Sequence, residues 1–106
     1  MTNRQREWSK FRRDPYVRWI KSLPCSVQGA HAGPIDPNHH PTVGSTGQVH
    51  RRIMPLCRGH HTELGDVGVE SFQRKYGIDF EAFISALEVV YRDGVLQKRF
   101  LVGRAA

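Results

Sequence analysis

The chain has 106 residues, two cysteines, six histidines and a formal net charge of +6. That length sets one domain with a modest core. A hydrophobic share of 39% and a mean hydropathy of −0.51 argue against a membrane-embedded protein, and no apolar run approaches the roughly 20 residues that span a bilayer.

The polar, basic stretch Met1–Arg13 has no apolar segment of the signal-peptide kind, so the expected compartment is the cytoplasm. A pI near 9.9 favours a polyanionic partner, nucleic acid ahead of an anionic membrane surface. Residues 1–13 form a basic arm, with Arg4, Arg6, Lys10, Arg12 and Arg13 against Glu7 alone. The arm reads either as a frayed helix or as a segment that orders on a partner, with Trp8 and Phe11 able to dock one side. Asp14 is a natural N-cap and Pro15 suits the first helical position. Tyr16, Trp19, Ile20 and Leu23 follow at helical spacing, predicting a short helix over about 15–22 that Pro24 ends.

Prolines and glycines from Pro24 to Gly47 rule out a long helix there. Short strands fit around Asp36–His40 and Arg51–Pro55, with Arg52–Leu56 the best strand segment. A helix over about 58–64 comes next. Val67, Val69, Phe72 and Tyr76 suggest another that stops at Gly77. Asp79 caps a last helix whose stripe Phe80, Phe83, Ile84, Leu87, Val90 and Tyr91 reads as core. Asp93-Gly94 is expected to break it, leaving residues 93–106 as a basic tail or short strand with Lys98, Arg99 and Arg104.

Every histidine and both cysteines lie between Cys25 and His61, with adjacent pairs at His39-His40 and His60-His61. Imidazole and thiolate bind transition metals, and imidazole is the usual general base near neutral pH. Cys25 and Cys57 sit in histidine-rich surroundings, which favours metal ligation or burial as free thiols over a disulfide.

The ordered segments Leu23-Pro24-Cys25, Asp36-Pro37-Asn38-His39-His40, Gly44-Ser45-Thr46-Gly47, Met54-Pro55-Leu56-Cys57-Arg58-Gly59-His60-His61, Gly68–Phe72 and Gly77-Ile78-Asp79 resemble the HNH endonucleases, in particular the small phage and prophage members. The likeness covers about residues 16–80. It implies an α+β fold over residues 14–92 with a ββα-metal core, a short hairpin and a helix, flanked by an N-terminal helix and two C-terminal helices. It also implies a divalent cation (Mg, Mn, Zn or Ni) and hydrolysis of DNA phosphodiesters in a bacterial or phage-infected cell.

Carried over position by position, His40 becomes the general base, and His39 and His61 ligands of the catalytic cation. The family's further ligand, four residues after His61, falls on Gly65. Asp66 is the first substitute, with Glu63 or water as others. Many relatives also hold a structural zinc between two Cys-x-x-Cys knuckles. Here Gln28 and His60 take the second knuckle positions, so the candidate zinc set is Cys25, His31, Cys57 and His60. The plainer alternative is two buried thiols and a loop histidine. Arg51, Arg52 and Arg58 are candidate phosphate contacts, with Arg4, Arg6, Arg12 and Arg13 adding charge-driven affinity. His50 reads either as a solvated strand-start residue or as a contact to substrate phosphate.

Two further functions stand beside the nuclease: a nucleic-acid-binding module of the same fold impaired at Gly65, and a zinc-stabilised protein-interaction domain. Either a monomer or a homodimer fits a chain of this size.

Overall fold

Thr2 and Gln5 stand three apart at the head of the basic arm, the spacing of a capping box. In the computed structural model, which describes residues 2–40 and 52–105, both halves of that box form, and the arm is helix α1, Asn3–Arg13. Lys10, Arg12 and Arg13 lie in its last turn, where positive charge suits the helix dipole. Of the two readings of the arm, the helix is the one that forms, ahead of the helix expected from Pro15. α2 is Pro15–Lys21, with the Tyr16 amide donating to Asp14 Oδ1 at 2.8 Å.

An antiparallel hairpin follows, β1 Ile35–His39 and β2 Ile53–Cys57, with Asp36 opposite Leu56, Asn38 opposite Met54 and His39 opposite Ile53. Helices α3 (Arg58–Val67), α4 (Val69–Tyr76) and α5 (Phe80–Ala105) complete the described chain. The architecture is α+β. Among the described residues, no helix is long and apolar enough to cross a membrane.

All five residues of β2 are buried, because helices cover both faces of the hairpin. Strand alternation divides its side chains. Ile53 joins Phe11, Tyr16, Val17 and Ile20 on the α1–α2 side. Met54 and Leu56 join Val27, Leu64, Phe72, Phe80 and Ile84 on the other. Burying each large apolar side chain contributes about 1.5–3 kcal/mol, so the hairpin is the keel of both clusters.

Two boundaries differ from expectation. Val67 ends α3 instead of opening the next helix, because Gly68, at φ +85°, separates the two. Asp93-Gly94 does not end α5, which runs on to Ala105 in place of a tail or strand. One glycine inside a helix costs about 1 kcal/mol, too little to stop a helix already docked along Phe80, Ile84 and Leu87. Gly77, in the left-handed region at φ +62°, does terminate α4, and Asp79 Oδ1 accepts from the Ala82 amide at the start of α5. Gly44–Gly47, His50 and Arg51 lie outside the described residues.

Candidate metal centre and hairpin site

Cys57 closes β2 and is the N-cap of α3, so His60 follows it within the first turn on the same side. Cys25 reaches them because its neighbour Ser26 is clipped to β2: the Ser26 amide and Oγ both donate to Pro55 O, at 2.9 and 2.6 Å. The loop carrying His31 is held against the head of α3 by Gly59 N to Ala32 O at 2.8 Å and Arg58 N to Pro34 O at 2.9 Å. That close approach needs Gly33: a Cβ there would lie 2.7 Å from Arg58 Cβ, and its φ is +81°.

The ligand atoms of Cys25, His31, Cys57 and His60 all fall within 4.8 Å of one another. His60 Nδ1 is 3.4 Å from Cys25 Sγ and 3.2 Å from Cys57 Sγ, and His31 Nδ1 is 3.8 Å from Cys57 Sγ. A tetrahedral ion with ordinary Zn–S and Zn–N bonds sets S···N edges of about 3.6 Å, so these spacings fit a four-ligand site. Burial alone would push the Cys57 thiol up. The backbone about His60 and Ala32 and the side chains of His31 and Cys25 outweigh it and bring it down to about 6, toward the thiolate a metal needs. The four residues can hold a metal ion. Behind His60, the Tyr76 ring meets it edge-on with centroids 5.2 Å apart. Tyr76 and Lys75 both bind Glu63, so Glu63 is engaged away from the Gly65 position.

A second constellation lies where the hairpin meets α3. Alternation puts Asp36, Asn38 and His40 on the face shared with Met54 and Leu56. Asp36 Oδ2 is 3.0 Å from His61 Nδ1, and Arg58 forks onto the same carboxylate at 2.6 Å through Nε and 3.0 Å through Nη2. The Arg58 hydrogen bond in particular, with His61 adding to it against the cost of burial, holds the Asp36 carboxyl down at about 2. Asn38 is buried between Asp36 and His40 along the strand, and its Nδ2 has no hydrogen-bond partner among the described residues. His40 packs edge-on against Phe80, with centroids 5.2 Å apart, and its amide donates to Arg52 O at 3.0 Å.

The predicted residues therefore separate. His40 and His61 lie on the side of α3 and α5, whereas the His39 ring sits 5.1 Å from the Phe11 ring of α1. Adjacent strand residues point to opposite faces, which is why His61 meets Asp36 and not the predicted pairing with His39. Among the described residues, the one group of three or more histidine, cysteine or acidic side chains close enough to share an ion is the Cys25 set; His39, His61 and Asp66 do not form another. Asp66 is exposed on α3. Arg52 is paired with Glu81, and Arg58 with Asp36. Arg6, Arg12 and Arg13 are exposed along α1, which also carries Arg4.

Two residues of this site, Asp36 and Glu81, were not among those expected from the sequence. Asp36 was within reach: it shares strand parity with His40. Glu81 gave no signal, because only the packing of α5 brings it to the hairpin.

Residues 4–94 match the family described as "Protein of unknown function (DUF968)", and the chain belongs to that family. It is also similar to "Uncharacterized protein YdfU" of Escherichia coli (strain K12), 35% identical over 97 residues, which cover 88% of this chain and 26% of that protein. The chain thus spans about a quarter of the curated relative's length. No solved structure matches it.

Proposed function

We propose that this chain is a metal-dependent DNA endonuclease domain of the HNH kind, with His40 as general base and a structural zinc at Cys25, His31, Cys57 and His60. The observation that carries the reading is the meeting of Asp36 and His61, 3.0 Å apart across the junction of hairpin and helix, on the strand face that also carries His40. A carboxylate and an imidazole are two suitable ligands for a divalent cation, and water fills the remaining positions in such sites. Bound there, a cation would stabilise the charge that develops on the phosphate oxygens during hydrolysis.

The chain's own groups do the rest. His40 takes the proton of the attacking water. Arg58 is the nearest cation to Asp36 and can turn to a phosphate oxygen once that carboxylate is otherwise engaged. The exposed Arg6, Arg12 and Arg13 on α1 add sequence-independent attraction to the backbone. Cys25, His31, Cys57 and His60 would hold the zinc, and a shared ion would tie the Cys25 and His31 loop to the β2–α3 junction beside Asp36 and His61.

The test is cleavage of supercoiled plasmid with magnesium, manganese, zinc or nickel. Cleavage should need a cation, stop with chelator and vanish in His40→Ala. Full activity in His40→Ala removes the base assignment.

Gly65 favours a second reading, a DNA-binding module without turnover. It is exposed on α3 one turn beyond His61, and a Cβ there meets nothing within 4 Å, so the usual further ligand is missing from a place with room for it. That reading expects salt-sensitive DNA binding and no cleavage with any cation.

A further inference from the structure

The hairpin site draws on one residue that lies far from the histidine-rich segment. Glu81 stands in the first turn of α5. Its Oε1 is 3.5 Å from His40 Nε2, and its other carboxylate oxygen, Oε2, pairs with Arg52. The preceding residue, Phe80, is fully buried and sets its ring edge-on against the same imidazole. His40 is thus bounded by the backbone of Arg52, which accepts its amide, by the Phe80 ring and by the Glu81 carboxylate. The His40 side chain is 19% exposed, so one side of the ring still reaches solvent.

We infer that Glu81 is a positioning residue for His40: it accepts the Nε2 proton, fixes the ring plane, and leaves Nδ1 as the nitrogen that takes the proton from water. This inference rests on the assignment of His40 as base. A general base acts through one nitrogen, and a carboxylate on the other fixes the tautomer and steadies the imidazolium that forms. At 3.5 Å the contact is longer than an ordinary N–H···O hydrogen bond. Catalytic hydrogen bonds are often long before substrate binds and shorten in the complex.

Arg52 explains how a carboxylate can sit beside a polyanion. It neutralises Glu81 on the side away from His40, so an approaching phosphate meets an ion pair instead of a bare negative charge. The two residues therefore have separable effects. Glu81 acts on the chemical step through His40, and Arg52 acts on substrate approach. Glu81 is exposed, and alanine is a good helix former, so Glu81→Ala should keep the fold.

The experiment uses the full chain and two readouts. The first is the His40 Nε2–H proton, observed by NMR on ¹⁵N-histidine-labelled protein at low temperature. It should appear downfield in the wild type, vanish in Glu81→Ala and survive in Glu81→Gln, whose amide oxygen still accepts. The second is plasmid cleavage: Glu81→Ala should lower kcat by about 10- to 100-fold, the range for partners that orient a histidine through one hydrogen bond, with KM unchanged. Glu81→Gln should recover part of kcat, and Arg52→Ala should show the opposite split, a raised KM with a smaller change in kcat. An Nε2–H signal that is absent or indifferent to residue 81 overturns the proposal, as does an unchanged kcat in Glu81→Ala. If the wild type cuts nothing while the signal depends on Glu81, the nuclease reading fails and the positioning contact stands.

Discussion

His31 gives the sharpest test of the metal centre, because its side chain has little else to do. It is exposed, with Nδ1 3.8 Å from Cys57 Sγ and its ring edge-on to His60. Without a metal, His31→Ala should change stability by no more than about 0.5 kcal/mol, as at most surface positions. With zinc bound, the substitution takes a four-ligand site to three, and a loss of at least tenfold in affinity is expected, up to about a hundredfold. At saturating zinc each tenfold loss removes about 1.4 kcal/mol of stabilisation. In a domain of about 100 residues, 1 kcal/mol moves Tm by roughly 4–8 °C. The zinc-loaded protein should therefore lose roughly 6–20 °C, and the chelator-treated protein almost nothing. Calorimetry with zinc and with EDTA, beside a competition titration against a chromophoric chelator, reads both quantities. An equal drop in both buffers makes His31 a packing residue, and no drop in either removes it from the ligand set.

Acid should weaken the hairpin junction. Asp36 is held at about 2 against an ordinary 3.8, so it contributes stability above pH 4 that is lost as pH falls through 2. The full shift corresponds to roughly 2 kcal/mol, and solvent around the largely exposed Arg58 cuts that to about 1 kcal/mol. Urea midpoints for wild type and Asp36→Asn in cation-free buffer should converge below pH 3, and a constant gap from pH 7 to 2 contradicts the pairing. Gly65→His should raise manganese affinity at the Asp36–His61 pair tenfold or more, measured by titration calorimetry, because position 65 is one turn beyond His61 and a Cβ there meets nothing within 4 Å; unchanged affinity and cleavage would discard the missing-ligand argument. Gly94→Ala should stabilise by about 0.5–1 kcal/mol in chemical denaturation, since Gly94 is inside α5 with open space at its Cβ; a loss would mean that the helix needs the glycine.

The features legible in the sequence are those whose cause is local. Asp14-Pro15, Gly77 and Asp79 mark helix ends through their own backbone and side-chain chemistry, and each acts where it stands. The Cys/His set was within reach for a related reason: Cys57 and His60 share the turn that opens α3, and Cys25 needs only the Ser26 clip to join them. The capping box of α1 is likewise local, written in Thr2 and Gln5.

The division of His39 from His40 is of another kind. A strand sends neighbours to opposite faces whatever their chemistry, but which face meets α3 depends on what covers the hairpin. Ile53, opposite His39, packs with Phe11 and Ile20, whereas Met54, opposite Asn38, packs with Phe72 and Phe80. Once those two clusters form, His39 shares a side with α1, and Asp36 and His40 share one with His61 and Glu81. A one-residue slip of β1 against β2 would exchange the two sets. The apolar alternation of Ile53, Met54 and Leu56 that holds the core together is therefore also what decides which histidine faces Glu81 and which faces Phe11.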